Sequence, residues 1–258
     1  MLALHGWLDN AASFVPLSAH LPAQELDLVL LDLPGHGHSA WLPVGAEYTL
    51  SSAIAILLQV ADGLGWQRFT LLGHSMGGGI ASLLAAAAPE RVEALIAIEA
   101  LGALAEPVEN TATRLRDAVA SARTLAERPL RVFPSMEMPV RARMMANQLT
   151  EPAARLLVER GVRVVEGGYS WCSDPRLTLP TAIRMTEAQI DVLLASIACP
   201  AQAIFATPAQ PYFPEALRDH RVAMMRDARL QLLPGTHHVH MEMPEAVAAV
   251  IDDFLDHN

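Results

Sequence analysis

The chain has 258 residues, of which 52% are apolar and 18% charged, enough apolar surface to bury a substantial core and too much for intrinsic disorder. Its formal net charge is −10, with no basic block, which excludes a nucleic-acid binder that tracks phosphates and leaves polyanions as poor partners. One domain carrying an insertion fits this length.

Short apolar runs alternate with longer helix-like ones from the start of the chain. Leu2 to Leu4 reads as a strand, followed by a helix over about Ala11 to Leu21. Leu28 to Leu31 is the next strand, ending in Asp32-Leu33-Pro34-Gly35-His36-Gly37-His38-Ser39, where the proline and glycines make a loop. Thr49 and Ser51 can cap a helix that reaches about Leu64. Phe69 to Leu72 is a strand, Gly77 to Ala88 a helix stopped by Pro89, and Ala94 to Ile98 a strand. The uncharged run from Phe69 to Pro89 is 21 residues long, enough for a membrane span, but Gly73-His74-Ser75-Met76-Gly77-Gly78-Gly79 divides it into a buried strand, a turn and a helix. From 102 to 198 the alternation gives way to helical sequence with proline interruptions, which predicts a helical cap set between core segments 1–101 and 199–258. Alternation returns with a strand at Ala203 to Ala206, a helix at Pro214 to Asp219, a strand at Leu230 to Leu233 and a helix from Pro244 to about Leu255. This order predicts an α/β fold with a mostly parallel sheet flanked by helices.

The strongest chemical signal is Gly73-His74-Ser75-Met76-Gly77, a G-x-S-x-G turn between an apolar strand and an apolar helix. Such a turn lifts the serine hydroxyl out at the carboxyl end of the sheet and points a helix N-terminus at the same spot. The plain alternative is a glycine-rich helix start. A serine needs a base, usually a histidine held by a carboxylate. His237, His238 and His240 compete for that part in one loop after the last strand, and His237 comes first after Gly235. The three could instead hold a metal, although no acidic ligand motif accompanies them, so neither metal nor cofactor is expected. All 18 basic residues are arginine, and the absence of lysine excludes Schiff-base chemistry, a pyridoxal anchor, a Walker lysine and a Ser-Lys dyad. Cys172 and Cys199 are too few for a disulfide framework, and with no signal peptide in view a cytoplasmic location is expected.

Together with Leu4-His5-Gly6-Trp7-Leu8-Asp9-Asn10, the Asp32 to Ser39 loop, Asp174-Pro175-Arg176-Leu177 and the His237 loop, the Ser75 turn makes the chain resemble the α/β-hydrolase fold superfamily, in its serine-hydrolase-like branch. The resemblance spans nearly the whole chain. It implies Ser75 as nucleophile, His237 as base, and an oxyanion hole from the backbone N–H groups of Trp7 and Met76, with His5 turned inward to hold its loop. The acid departs from the usual pattern: after the strand that follows the cap, Gln210 stands about where an aspartate is expected. Some haloalkane dehalogenases of this fold place a glutamate after the strand that follows the nucleophile helix, and Glu99 stands there, with Glu215 and Asp219 as fallbacks. The resemblance thus implies a Ser75, His237, Glu99 triad that hydrolyses a carboxylic ester of a small or medium hydrophobic substrate through an acyl-enzyme. Two alternatives stay open: a non-catalytic ligand-binding protein on the same fold, and a cofactor-free perhydrolase or carbon-carbon bond hydrolase with the same triad. Met136, Met138, Met144, Met145 and Met185 could line an adaptable apolar wall, or simply pack. Relative to the family, two strands before the His-Gly-Trp loop are missing, so the strand from Leu28 is expected at an exposed sheet edge that could pair two copies as a homodimer.

Overall fold

The computed structural model describes residues 1–22, 26–125 and 130–257. In chain order its elements are β1 (Leu2–Leu4), α1 (Val15–Ser18), β2 (Val29–Leu31), α2 (Leu50–Gly63), β3 (Phe69–His74), α3 (Met76–Ala87), β4 (Val92–Ile98), α4 (Thr111–Leu125), α5 (Glu137–Asn147), α6 (Glu151–Gly161), β5 (Val162–Val165), β6 (Gly168–Trp171), α7 (Glu187–Ser196), β7 (Ala201–Thr207), α8 (Glu215–Met224), β8 (Ala228–Pro234), α9 (Val239–Glu242) and α10 (Pro244–Asp256). Six strands form one sheet in the order β2-β1-β3-β4-β7-β8, every neighbouring pair parallel. All six therefore end on one side, where the loops after β1, β3, β4 and β8 gather.

The two-residue period of a strand divides the core into two layers. Leu2, Leu4, Leu71, Leu95, Ala97, Ala203 and Phe205 pack with residues of α2, α3 and α7, whereas Ala3, Leu72, Ile96, Ile98, Ile204 and Ala206 pack with Phe14, Leu17 and the apolar side of α10. Each buried leucine or isoleucine contributes on the order of 1.5–3 kcal/mol, and strands apolar on both faces are the expected signature of a covered parallel sheet. Thr49 closes a capping box with Ser52 at the start of α2.

Two elements differ from expectation. The single helix over Ala11 to Leu21 is instead a 3-10 turn, Ala11–Phe14, followed by the four-residue α1, because Pro16 has no N–H to carry a helical bond across the junction. The segment 102–198 is not purely helical, since β5 and β6 form an antiparallel hairpin across the two-residue turn Glu166-Gly167, with Gly167 and the first β6 residue, Gly168, both at positive φ. The β-branched Val-Arg-Val-Val run and the Glu166-Gly167 turn are its local cause. In the same segment, α7 sends Ile190 and Leu194 into the core layer of α3.

The segment is tied to the core by polar contacts at several points. Asn10 Nδ2 donates to the Leu157 carbonyl at 2.8 Å, Arg160 pairs with Asp32 at 2.9 Å, and the Tyr48 hydroxyl donates to Asp174 at 2.7 Å.

Candidate active site

Ser75 follows β3 with φ 53° and ψ −118°, a conformation that a residue with a side chain holds only when its surroundings enforce it. Its N–H donates to the Ile98 carbonyl at 2.9 Å and its carbonyl accepts from Gly79 at 3.0 Å. The flanking glycines are sterically required. A Cβ on Gly77 would lie 1.9 Å from the Leu4 carbonyl oxygen, and one on Gly73 would lie 2.5 Å from the Gly77 carbonyl oxygen. The turn therefore packs directly on the end of β1.

Glu99 follows β4, also at positive φ, and is 4% exposed. Its Oε1 accepts from the Ala206 N–H and its Oε2 faces His237 Nδ1 at 3.1 Å. A buried carboxylate needs such partners. His237 is carried by the loop after β8, and its carbonyl accepts a hydrogen bond from His74 Nε2 at 2.8 Å. The residue before the candidate nucleophile thus holds the backbone of the candidate base.

With Nδ1–H turned to Glu99, His237 presents a lone pair on Nε2. Among the described residues, the one group within hydrogen-bond reach of that nitrogen is the Tyr212 hydroxyl, at 3.4 Å and also 3.0 Å from Nδ1, while Ser75 Oγ makes no hydrogen bond. Burial, and then the charge of Glu99, push the Tyr212 phenol up to about 12, so it stays protonated. Nothing in the sequence marks Tyr212, because it meets His237 only across two loops.

Met76 opens α3, so its N–H lies outside the intrahelical ladder. Trp7 lies in the tight turn closed by Asp9 N–H to the Gly6 carbonyl, and its indole N–H donates to the Leu177 carbonyl at 2.8 Å. His5 is wholly buried, accepts from Leu33 N–H on Nε2 and donates Nδ1–H to the Gly6 carbonyl, so it holds the loop. Burial pushes its pKa down, which keeps it neutral.

The other candidates lie elsewhere. Gln210 is in the loop after β7 with its carbonyl on Phe213 N–H, Glu215 is exposed at the start of α8, and Asp219 pairs with Arg218. Met136 and Met144 pack against Val140, Leu149 and Leu157, Met185 packs on the main core, and Met138 and Met145 are exposed. The three loop histidines do not act together as a ligand set: His237 takes Glu99, whereas His238 Nε2 meets Asp9 Oδ2 at 3.1 Å, and both nitrogens of the buried His240 lack a hydrogen-bond partner among the described residues. Asp9 also pairs with Arg143 of α5 and lies 3.8 Å from His74 Nδ1. Burial alone would raise the Asp9 carboxyl, but His238, Arg143 and His74 outweigh it and hold the group well below the usual range.

Comparison with known proteins agrees with this fold. A profile described as the alpha/beta hydrolase fold matches residues 1–155. A serine hydrolase-like protein of Danio rerio is 32% identical over 99% of this chain and 81% of its own length, and the lipase LipV of Mycobacterium tuberculosis is 27% identical over 97% and 91%. A crystal structure of a hypothetical protein from Pseudomonas aeruginosa PAO1 superposes with a TM-score of 0.93 at 38% identity, over 99% of this chain and 90% of that one.

Proposed function

The chain belongs to the alpha/beta hydrolase fold family, and we propose that within it the protein is a serine hydrolase cleaving carboxylic esters of small or medium hydrophobic acids or alcohols. The observation that carries this reading is the Glu99 carboxylate on His237 Nδ1, beside a serine held in a strained strand-to-helix turn. Lipase and serine hydrolase-like relatives support the same class.

In this reading Ser75 Oγ attacks the ester carbonyl carbon while its proton passes to His237 Nε2. Glu99 holds the imidazole in the required tautomer and stabilises the imidazolium. The tetrahedral oxyanion accepts from the Trp7 and Met76 N–H groups, at the positive end of α3. Collapse breaks the bond to the alkoxy group, which leaves as the alcohol with the proton from His237. Water, deprotonated by the same histidine, then releases the acid and restores Ser75. The segment 102–198 acts as the cap that borders the acyl site.

Labelling with a fluorophosphonate probe, followed by a panel of p-nitrophenyl esters, tests this. Wild type is expected to label and turn over; Ser75→Ala abolishes both, and His237→Ala and Glu99→Gln slow both by roughly 10²–10⁴-fold. Absence of labelling in folded wild type overturns the reading in favour of a ligand-binding protein. The Tyr212 hydroxyl against the His237 ring, 3.0 Å from Nδ1 and 3.4 Å from Nε2, is the observation that favours this second reading. A panel in which peracid formation or carbon-carbon cleavage outruns ester hydrolysis would move the activity to another reaction of the same triad.

A further inference from the structure

Directly behind Ser75 and His237 lies a buried group that ester hydrolysis does not use. Asp9, His74 and His238 are each at most 3% exposed. His74 spends its Nε2–H on the His237 carbonyl, which fixes the tautomer with a bare lone pair on Nδ1. That nitrogen has no hydrogen-bond partner among the described residues and faces Asp9 Oδ2 at 3.8 Å. Two electron-rich atoms set face to face in a dry interior repel each other, an arrangement that a cation between them would turn into attraction.

His238 Nε2 lies 3.1 Å from the same Oδ2, and the three atoms are all within 4.8 Å of one another. Ligand bonds of about 2.1 Å place neighbouring ligand atoms of a tetrahedral ion about 3.4 Å apart, and the observed 3.1 and 3.8 Å bracket that spacing. Two imidazole nitrogens and one carboxylate oxygen suit zinc and its first-row neighbours better than calcium or magnesium. Two of the three outer contacts are those of a metal site, since His74 donates its other N–H to a backbone carbonyl and Asp9 Oδ1 is held by Arg143, whereas His238 Nδ1 has no hydrogen-bond partner among the described residues.

We propose that Asp9 Oδ2, His74 Nδ1 and His238 Nε2 form a binding site for one divalent transition-metal ion of the zinc class, with water as the fourth ligand. His238 gives the ion its Nε2 lone pair by moving its single proton to Nδ1, and His74 already has the right tautomer. Neither histidine therefore releases a proton, and Asp9 stays ionised. The ion enters when the Gly6 to Asn10 loop opens locally, so binding is slow. Because His74 also holds the His237 backbone, a bound ion pulls on the candidate base and slows the reaction of Ser75; this consequence rests on the hydrolase reading, whereas binding itself does not.

The test uses metal-free full-length protein titrated with Zn²⁺ by calorimetry, and with Co²⁺ by visible absorption. His238→Gln keeps an amide N–H for Asp9 but lacks the ligating nitrogen, and His220→Gln removes a histidine from the surface-lying Glu187, Asp191 and His220 group. The expected result is one ion per wild-type chain, intense four-coordinate Co²⁺ bands, affinity at least tenfold weaker in His238→Gln, and no change in His220→Gln. Failure of wild type to saturate, or loss of binding in His220→Gln but not in His238→Gln, overturns the site. Fluorophosphonate labelling is expected to slow with Zn²⁺ in wild type and not in His238→Gln; labelling unchanged by bound Zn²⁺ overturns the coupling. If no variant or wild type labels at all, the hydrolase reading fails while calorimetry still decides the metal site.

Discussion

In the hydrolase reading, Tyr212 and Ser75 need the same lone pair. With Nδ1–H committed to Glu99, the Tyr212 hydroxyl, 3.0 Å from His237 Nδ1 and 3.4 Å from Nε2, can donate only to Nε2, the nitrogen that takes the serine proton in that reading. A neutral hydrogen bond is worth about 1 kcal/mol net, so Tyr212→Phe is expected to raise the fluorophosphonate labelling rate up to about fivefold; an unchanged or slower rate counts against competition. Glu99 beside His237 is legible in the sequence, because strand ends of a parallel sheet share one side and a lone carboxylate after an apolar strand needs a partner there. Tyr212 and Asp9 are not. Asp9 meets His238 across 229 residues, and no spacing rule reports a contact made by closing the whole sheet.

Among the elements, the junction of α3 with β1 is the least tolerant. Gly77→Ala would drive a methyl into the Leu4 carbonyl oxygen, where only backbone could yield. A loss of about 3 kcal/mol or more in urea unfolding is expected, against about 1 kcal/mol for Thr49→Ala, which removes one cap from α2. The strands and long helices are readable because each keeps one period over its length. The 3-10 turn before α1 is harder, since Pro16 is equally at home in the first turn of a helix. The β5–β6 hairpin is masked by its surroundings: four β-branched or charged residues directly after α6 resemble a helix running on until Glu166 and Gly167 are taken as a turn.

For the whole molecule, proton uptake sets an acid limit. His5, His36, His74 and His240 are buried, and burial lowers each pKa, that of His36 to about 4. The unfolded chain therefore binds more protons than the folded one below about pH 6.5, so this stability is complete above that pH and is lost as the pH falls toward 4. Each such group adds a slope of up to about 1.4 kcal/mol per pH unit. Urea unfolding from pH 7.5 to 5 should show a steep decline, shallower by one group in His36→Gln; a flat profile contradicts it. At the sheet edge, β2 pairs with β1 on one side alone among the described residues. We propose that this edge pairs two copies of the chain, an association opposed at low salt by the net charge of −10 and strengthened as salt screens it. Light scattering that gives one monomer mass at every salt and protein concentration counts against it.

The loop that carries His237 hangs from β8, the opposite edge strand, which among the described residues pairs with β7 alone. Glu99 and His237 are separated by 138 residues, so their contact closes only after distant segments have docked, and fraying of the β8 edge opens it. Labelling of Ser75 should accordingly fade at lower urea than the helical circular-dichroism signal. If Ser75 is the nucleophile proposed above, docking of this edge strand works as a timing device: the chain stays chemically silent through synthesis and collapse, and gains a reactive serine only when β8 has docked.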